Sequence, residues 1–373
     1  MSGRRLIAGL LALSLLLFSA CFDYRGLGEQ TIAAGIAVDF GEAGFTLTFE
    51  TVDVNGADQG QFGAIVFTTT GETFAEAVQD AASKLHSNVY LGALDVLLLS
   101  TQAAEDLGVS IFVDYLLRDK TVSNSLPIVI AGTDTAGELL MPPEGEEADI
   151  IRATSLAASL SSRQRGTGRR VEAKAIHEIY NILERGTSGL ALPIVGLSEA
   201  EDIPFQLDGL AIFHGAQMAG TLSEADIPLY LLATTSLRDW AFPVEVDGER
   251  LVLQVRSSRP QARFGFADGQ FHFFLDVSLR ADVRTVPTAW GELTPEVRRR
   301  IETEAEEALS AELLAFAQGL RDEGRDIFGF AEAVANSAPH LWNEMSDDWK
   351  FWLESSEIHA WVQVELRSAG LIR

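Results

Sequence analysis

The chain of 373 residues contains one cysteine, Cys21, and six histidines. A single cysteine cannot form an intramolecular disulfide, and it leaves the rest of the chain without the thiolates of structural zinc sites. The histidines are scattered, and no two of them have the spacing of a metal-binding pair. They are His86, His177, His214, His272, His340 and His359. The sequence therefore predicts no metal site and no cofactor.

Positively charged residues are also scarce. The chain has 28 lysines and arginines against 54 aspartates and glutamates, which gives a formal net charge of −26. Because so acidic a surface repels the phosphates of nucleic acids, we expect no nucleic-acid partner. Repulsion from anionic lipids is screened beyond about 8 Å at physiological salt, so a lipid anchor would overcome it.

The common catalytic motifs are missing as well. The chain has no His-Glu-x-x-His, no Gly-x-Ser-x-Gly and no phosphate-binding Gly-Lys-Ser/Thr sequence. The Gly-Thr-Ser-Gly sequence at residues 186–189 places its serine wrongly for a nucleophile elbow. We therefore expect no enzymatic activity, and no catalytic or cofactor-binding residue is predicted.

The longest apolar run lies in the first 20 residues. Two arginines precede an uncharged segment at residues 6–18, and the small residues Ser19 and Ala20 directly precede Cys21. This order of basic, apolar and small residues is typical of a secretory signal peptide. A cysteine at the cleavage position indicates a bacterial lipoprotein signal. We expect residues 1–20 to be removed, and Cys21 to carry a diacylglycerol and become a firmly anchored N-terminus.

An uncleaved transmembrane anchor is the alternative for this segment. Residues 6–22 lie at the lower limit of the roughly 17–25 residues that cross a bilayer, and they include Ser14 and Ser19. After this segment, no apolar run in the sequence approaches the length of a second span.

The composition, with 47% hydrophobic and 22% charged residues, predicts a folded chain, and the length suggests two or three domains. Residues 21–190 are predicted to form an N-terminal α/β domain because strand-like and helical segments alternate. Capping boxes at Thr73–Glu76 and Thr135–Glu138 indicate two helix starts. Strands are predicted at 31–40, 45–52, 64–70, 90–100 and 126–131, and helices at 74–85, at 101–118 with a break near Gly108, and within 149–185.

Residues 191–205 are predicted to connect the domains, and residues 206–373 to form a C-terminal domain. There an antiparallel meander packs on a long helix at 294–322, so the whole fold is α+β (mixed α/β). The turns Asp247-Gly248 and Asp268-Gly269 predict tight hairpins. Strands are predicted at 206–213, 217–220, 242–246, 250–257, 261–266, 271–279 and 357–367. The apolar stripe that the long helix is expected to bury consists of Val297, Ile301, Ala305, Leu309, Leu313, Phe316 and Leu320. Asp326 is predicted to cap a further short helix.

Three segments allow two interpretations. The arginine-rich loop Arg163–Arg170 is either a solvated connection or a contact for acidic protein surface or lipid phosphate. Residues 53–60 resemble a calcium loop but lack two of its positions, which favours a turn. Four of the six tryptophans, at positions 342, 349, 352 and 361, either fill a core or form a binding surface.

Motifs along the chain resemble those of a known family. The sequence Cys-Phe-Asp-Tyr-Arg at Cys21–Arg25 comes first, and the others follow in order at residues 32–39, 71–77, 90–94, 112–119, 207–213, 218–222 and 349–370. In this order they are similar to the spore germination lipoproteins of the Ger(x)C family, over essentially the whole chain after residue 20. Phe22 stands where tryptophan is usual in that family, and Ala93 where histidine is common.

The resemblance implies a membrane-tethered lipoprotein subunit of a spore nutrient germinant receptor. Its place would be the outer face of the cytoplasmic (spore inner) membrane, and its partners would be the membrane-embedded A and B subunits. The family brings no catalytic residue, and direct germinant binding by this subunit is left open. Two other classes stay open: an extracytoplasmic solute-binding lipoprotein with a cleft between its domains, and a hydrolase with a nucleophile–base pair.

Overall fold

The computed structural model describes residues 30–53, 63–143, 151–161, 171–186, 189–199, 204–285 and 293–369. These residues form two β-sheets with helices packed on them, which confirms the predicted α+β fold. None of the helices in these ranges is both long and apolar enough to span a bilayer.

The first sheet combines parallel and antiparallel strands in the order β3-β2-β1-β5-β6-β7-β8-β9, with β4 paired to β1. Its central strands β1, β5, β6 and β7 run parallel, and antiparallel strands flank them on both sides. The strands are β1 (Gln30–Gly41), β2 (Gly44–Asp53), β3 (Gly63–Gly71), β4 (Asn88–Tyr90), β5 (Val96–Ser100), β6 (Ile128–Ala131), β7 (Ala191–Leu197), β8 (Phe205–His214) and β9 (Gln217–Ser223).

Helices cover both faces of this sheet, as the continuous apolar character of the central strands requires. One face packs on α1 (Phe74–Leu85), α2 (Thr101–Asp106), α3 (Ser110–Arg118) and α5 (Ile176–Glu184). The other packs on a 3₁₀ helix (Ala136–Leu139) and on α4 (Arg152–Ser161). Alternate strand residues serve the two cores: Leu97 and Leu99 face the first set of helices, and Leu98 faces the second.

The local signals for helix starts and breaks are confirmed. Thr73 accepts a hydrogen bond from the Glu76 amide while the Glu76 carboxylate accepts one from the Thr73 amide, as a capping box requires. At the second predicted start, the Glu138 carboxylate accepts from both the amide and the hydroxyl of Thr135, and the helix that follows is one 3₁₀ turn. The helical segment 101–118 is interrupted near Gly108, whose φ of +74° is costly for other residues.

The single strand predicted at 90–100 is wrong. The structure divides it into β4 and β5, with a turn in which the Leu94 amide donates to the Leu91 carbonyl at 3.2 Å. Gly92 lies in this turn beside the Tyr90 ring and the Thr121 carbonyl, where a Cβ would fall within 3 Å of both. The apolar run therefore pairs with β1 in two pieces.

The prediction that residues 191–205 form a connection between the domains is also wrong. Residues 191–197 form β7, which pairs with β8, so the first sheet continues to residue 223. Strand β8 also serves two cores. Leu210 and Ile212 face the second half of the chain, whereas Ala211 and Phe213 face the first. The two halves therefore share a sheet at this point.

The second sheet has the order β10-β11-β12-β13. Its strands are β10 (Ala241–Val246), β11 (Glu249–Ala267), β12 (Gln270–Thr285) and β13 (Glu357–Ala369). The predicted Asp-Gly hairpins are confirmed, because both residues of each turn have positive φ values, as type I′ turns require. β10, β11 and β12 form the expected meander, and β13 joins β12 in parallel.

The predicted strands 250–257 and 261–266 are one strand. Strand β11 passes through Pro260, which is paired with Val277 of β12. Strand β10 accompanies β11 only as far as Gln254. Beyond Gln254, β11 has a partner strand on one side only. Proline is tolerated on such an edge segment because its missing N–H can face the unpaired side and no hydrogen bond between strands is lost.

The predicted long helix is α7 (Pro295–Asp322), and the Thr294 hydroxyl caps it by accepting from the Val297 amide. The fully buried side chains are Ile301, Ala305, Leu309, Leu313, Ala317 and Leu320. Val297 and Phe316, predicted to be buried, are only partly so. The contact follows steps of four residues, an inclined row on the helix surface, so Ala317 takes the place expected for Phe316.

Helix α7 also covers the open edge of β13. The amides of Val362, Val364 and Leu366 donate to Ser310, Glu306 and Glu302, each at 2.9 Å. The acceptors lie one helical turn apart, and the donors are alternate strand residues that face the same edge. An unpaired strand edge is a template for association with other chains, and this helix closes it.

Shorter helices complete the second core. They are α6 (Ile227–Thr234), α8 (Phe330–Ser337), α9 (Pro339–Met345) and α10 (Trp349–Glu354). The predicted cap of α8 is confirmed: the Asp326 carboxylate accepts from the amides of Phe330 and Ala331. Three of the four clustered tryptophans pack in or against this core, whereas Trp361 is 52% exposed.

Candidate functional site

The predicted functional residue, Cys21, lies outside the described residues, as do the arginine-rich loop Arg163–Arg170 and most of the calcium-like segment. Lipidation of Cys21 and both interpretations of the arginine-rich loop therefore stay predictions. The candidate site in the described part of the chain lies elsewhere, on the outer face of the second sheet.

Three side chains that can ligate a metal meet on this face: His272 of β12, and Glu357 and His359 of β13. His272 and Glu357 are register partners in the parallel pairing. Their side chains are 29% and 54% exposed, and that of His359 is 31% exposed. Within the described ranges, no other group of three or more histidine, cysteine or acidic side chains converges in this way.

The Glu357 carboxylate lies between the two imidazoles. One of its oxygens is 3.2 Å from His272 Nδ1, and the other is 3.9 Å from His359 Nε2. The three ligand atoms all lie within 4.8 Å of one another. This arrangement can hold a proton between a carboxylate and an imidazole, or it can hold a cation.

Aromatic rings fix the orientation of the second histidine. The His359 ring stacks on Phe274 and Trp361 at centroid distances of 5.1 and 5.7 Å, with interplanar angles of 15° and 9°. The His272 ring is nearly parallel to it at 6.0 Å. Beside this row, Arg263 lies over the Phe274 ring and donates to Asp276 through Nε at 2.7 Å.

Little in the sequence indicated this group. His272 and His359 are 87 residues apart, and a helical or hairpin spacing rule cannot join them. The available signal was the alternation of Glu357 and His359, which a strand places on one face. The missing information was the parallel pairing of β13 with β12.

Two carboxylates, one buried and one half-buried, form a second set of polar contacts, and these are structural. Glu50 of β2 is completely buried and accepts from the amides of Arg152 and Ala153, both at 2.6 Å, at the start of α4. Asp39 of β1 holds the 3₁₀ helix by accepting from the amides of Ala136 and Gly137. Burial raises the pKa of both carboxyls, against the lowering effect of these hydrogen bonds.

The raised pKa of Glu50 predicts a pH dependence of stability. The unfolded carboxyl has a pKa near 4.5, so between this value and the higher folded pKa the folded protein holds more protons. This contribution to stability is complete below about pH 4.5 and is lost as the pH rises through the folded pKa. The free energy of unfolding of the wild type, minus that of Glu50→Gln, should therefore fall between pH 4.5 and 7.

Urea titrations of both proteins across this pH range measure the difference. Glu42→Gln, which changes an exposed carboxyl on the turn before β2, is the control for the loss of one carboxylate. A difference that rises with pH would mean that the hydrogen bonds outweigh burial and that the folded pKa is lowered.

A cavity of about 160 Å³ lies between the β10–β11 turn and the first turns of α7. Val246, Asp247, Val297 and Arg300 line it, and Arg300 pairs with Asp247 across it. Ligand sites for small molecules generally have about 300–1,000 Å³. The size of this cavity therefore does not favour solute binding there.

Comparisons with known proteins agree along the chain. The family model described as "Spore germination protein N-terminal domain" matches residues 23–197. The model described as "Spore germination B3/ GerAC like, C-terminal" matches residues 208–370. The second match begins inside the first sheet, at β8.

Two curated relatives come from Bacillus subtilis (strain 168). "Spore germination protein KC" is 21% identical over 98% of this chain and 96% of the relative. "Spore germination protein A3" is 23% identical over 69% of this chain and 68% of the relative. The solved structure titled "Crystal Structure of the GerBC protein" has the same fold, with a TM-score of 0.58 at 14% identity over 93% of this chain and all of that one. The chain belongs to the Ger(x)C family of spore germination proteins.

Proposed function

We propose that this protein is the lipoprotein C subunit of a nutrient germinant receptor. The observation that carries the proposal is the similarity to spore germination protein KC, which extends over almost the whole of both chains. Similarity of this extent includes both sheets and the helices between them. It therefore supports the same role for the complete chain, and not a likeness confined to a single domain.

The anchor in this proposal is a lipid on Cys21, which holds the protein at the outer face of the cytoplasmic (spore inner) membrane. The basic, apolar and small-residue order before Cys21 supports it. Strand β1 begins only nine residues later. Since an extended residue spans at most about 3.3–3.6 Å, the first sheet would start within roughly 30 Å of the anchor.

The partners in this proposal are the membrane-embedded A and B subunits of the receptor. A lipid anchor confines the protein to a thin layer beside them and raises its effective concentration without any new contact. The role is non-enzymatic, because the sequence has no zinc-protease, nucleophile-elbow or phosphate-binding motif. Its contribution would come from the surfaces of residues 22–373.

The test is Cys21→Ala at native expression in spores of the source strain. We expect the variant to fold, to lose incorporation of labelled palmitate, and to leave the membrane fraction. The response to nutrients should fall, most strongly when expression is low. Overexpression should restore part of it, because mass action replaces the anchor.

A chimera separates the anchor from the protein. Replacing residues 1–21 by an unrelated lipoprotein signal with its own cysteine should restore both labelling and response. Labelling that persists in Cys21→Ala would refute lipidation at this residue. A normal response from a delipidated protein would refute the need for the anchor, and a normal response after deletion of the whole chain would refute the receptor role.

A further inference from the structure

We propose that His272, Glu357 and His359 form a binding site for one divalent transition-metal ion of the Zn²⁺ class. The three side chains supply two imidazole nitrogens and a carboxylate, which is a recurrent three-residue ligand set for zinc with a fourth position left to water. This site is distinct from the proposed anchor at Cys21 and does not depend on it.

The distances between the three ligand atoms suit one bound cation after small rotations of the side chains. Zinc bonds of about 2.0–2.1 Å in tetrahedral geometry place ligand atoms roughly 3.4 Å apart. The His272–Glu357 distance of 3.2 Å already meets this requirement, and the Glu357–His359 distance is 3.9 Å. No two of the three ligand atoms are more than 4.8 Å apart, so side-chain rotations that shorten each separation by at most about 1.4 Å bring all three to one ion.

The backbone under the site is well suited to hold it. All three residues lie on two hydrogen-bonded strands, which position ligands more reliably than loops do. The inward neighbours Phe271, Phe273 and Ile358 are buried in the second core. The contacts of the His359 ring with Phe274 and Trp361 limit its rotation, so less freedom is lost when a metal binds.

The chemistry of the ligands selects the class of ion. Ca²⁺ and Mg²⁺ prefer all-oxygen sites, whereas imidazole nitrogen suits Zn²⁺, Ni²⁺, Co²⁺ and Cu²⁺. Arg263, which lies over the neighbouring Phe274 ring, is paired with Asp276 and does not leave an uncompensated positive charge beside the site. The net charge of −26 further favours the approach of cations.

Equilibrium dialysis against Zn²⁺ tests the site. The full chain is purified in detergent without a histidine tag, and bound metal is measured by atomic emission. We expect one Zn²⁺ per chain that is removed by the substitutions His272→Gln, His359→Gln and Glu357→Gln, each weakening binding at least tenfold. His340→Gln changes an exposed histidine on α9 and should bind like the wild type.

Two further measurements show whether the bound metal lies at this site. Co²⁺ at the site should show the visible absorption of a four-coordinate nitrogen–oxygen complex, lost in His359→Gln. Zn²⁺ should raise the melting temperature of the wild type and of His340→Gln, but not of the three site variants, because the ion binds only the folded form. Circular dichroism without metal should be the same for all five proteins.

Dialysis that finds no Zn²⁺ bound at 100 µM free metal would overturn the proposal. So would site variants that bind as tightly as His340→Gln, since the metal would then lie elsewhere. In either case, the three residues form only a histidine–carboxylate contact.

Discussion

Leu313→Ala is expected to lower the free energy of unfolding by about 2–5 kcal/mol, the usual cost of deleting a buried leucine side chain. Leu313 is completely buried in the middle of the inclined row by which α7 contacts the second sheet. Its neighbours in that row, Leu309 and Ala317, are one turn away on either side. Since α7 is held along its whole length, the helix cannot move inward to fill the space.

Glu312→Ala is the matched control, because Glu312 is the adjacent residue and is exposed. It should change stability by less than about 0.5 kcal/mol. Urea titration of the two variants and the wild type gives both values. A loss below about 0.5 kcal/mol in Leu313→Ala would mean that this stripe of α7 faces water.

Asp326→Ala should cost a comparable amount, about 3–5 kcal/mol. The Asp326 carboxylate is buried and accepts from the amides of Phe330 and Ala331 at 3.1 and 2.7 Å. It also accepts from the indole N–H of Trp349 at 3.3 Å. Alanine would leave these three donors without their acceptor in a protein interior, where each orphaned group costs about 1–3 kcal/mol.

Thermal unfolding followed by tryptophan fluorescence suits this variant, since Trp349 itself reports on the contact. The control is Asp322→Ala at the end of α7, where the carboxylate is 63% exposed. A melting temperature for Asp326→Ala within the error of this control would show that water satisfies the three donors. It would also remove Asp326 as the link between α8 and α10.

The parts of the fold that the sequence predicted are those set by neighbours within a few residues. The capping box at Thr73 depends on Glu76, three positions away. The hairpin turns depend on Asp-Gly pairs, whose preference for positive φ is a property of the two residues themselves. The stripe on α7 follows from helix periodicity alone, except where the inclination of the contact favours Ala317 over Phe316.

The parts that could not be predicted depend on distant partners. Pro193 made residues 191–205 look like a connection, yet it lies in β7 opposite Leu210 of β8. Strand β6 reaches only Ile194 and Val195, so Pro193 is not needed as a donor on that side. The change from alternating strands and helices to a meander marks a boundary in the sequence near residues 191–205, but the first sheet continues across that boundary.

The candidate metal site shows the same limit more strongly. The spacing of Glu357 and His359 is visible in the sequence, but their meeting with His272 requires the register of a parallel pair. No turn residue fixes that register, because β12 and β13 are separated by a long helix and several short ones. Lipidation at Cys21 is the opposite case, since its signal is local.

The position of β13 at the far end of the described chain sets an order of assembly. The hairpins of β10, β11 and β12 can form as soon as they are synthesised, but β13 must close a loop of roughly 70 residues onto β12. Until then β12 has a free edge, and Ser310, Glu306 and Glu302 lack the amides they accept from. The last step of folding therefore removes the main hazard of self-association in the second half. A cation that needs His272, Glu357 and His359 together would bind only after β13 has paired with β12.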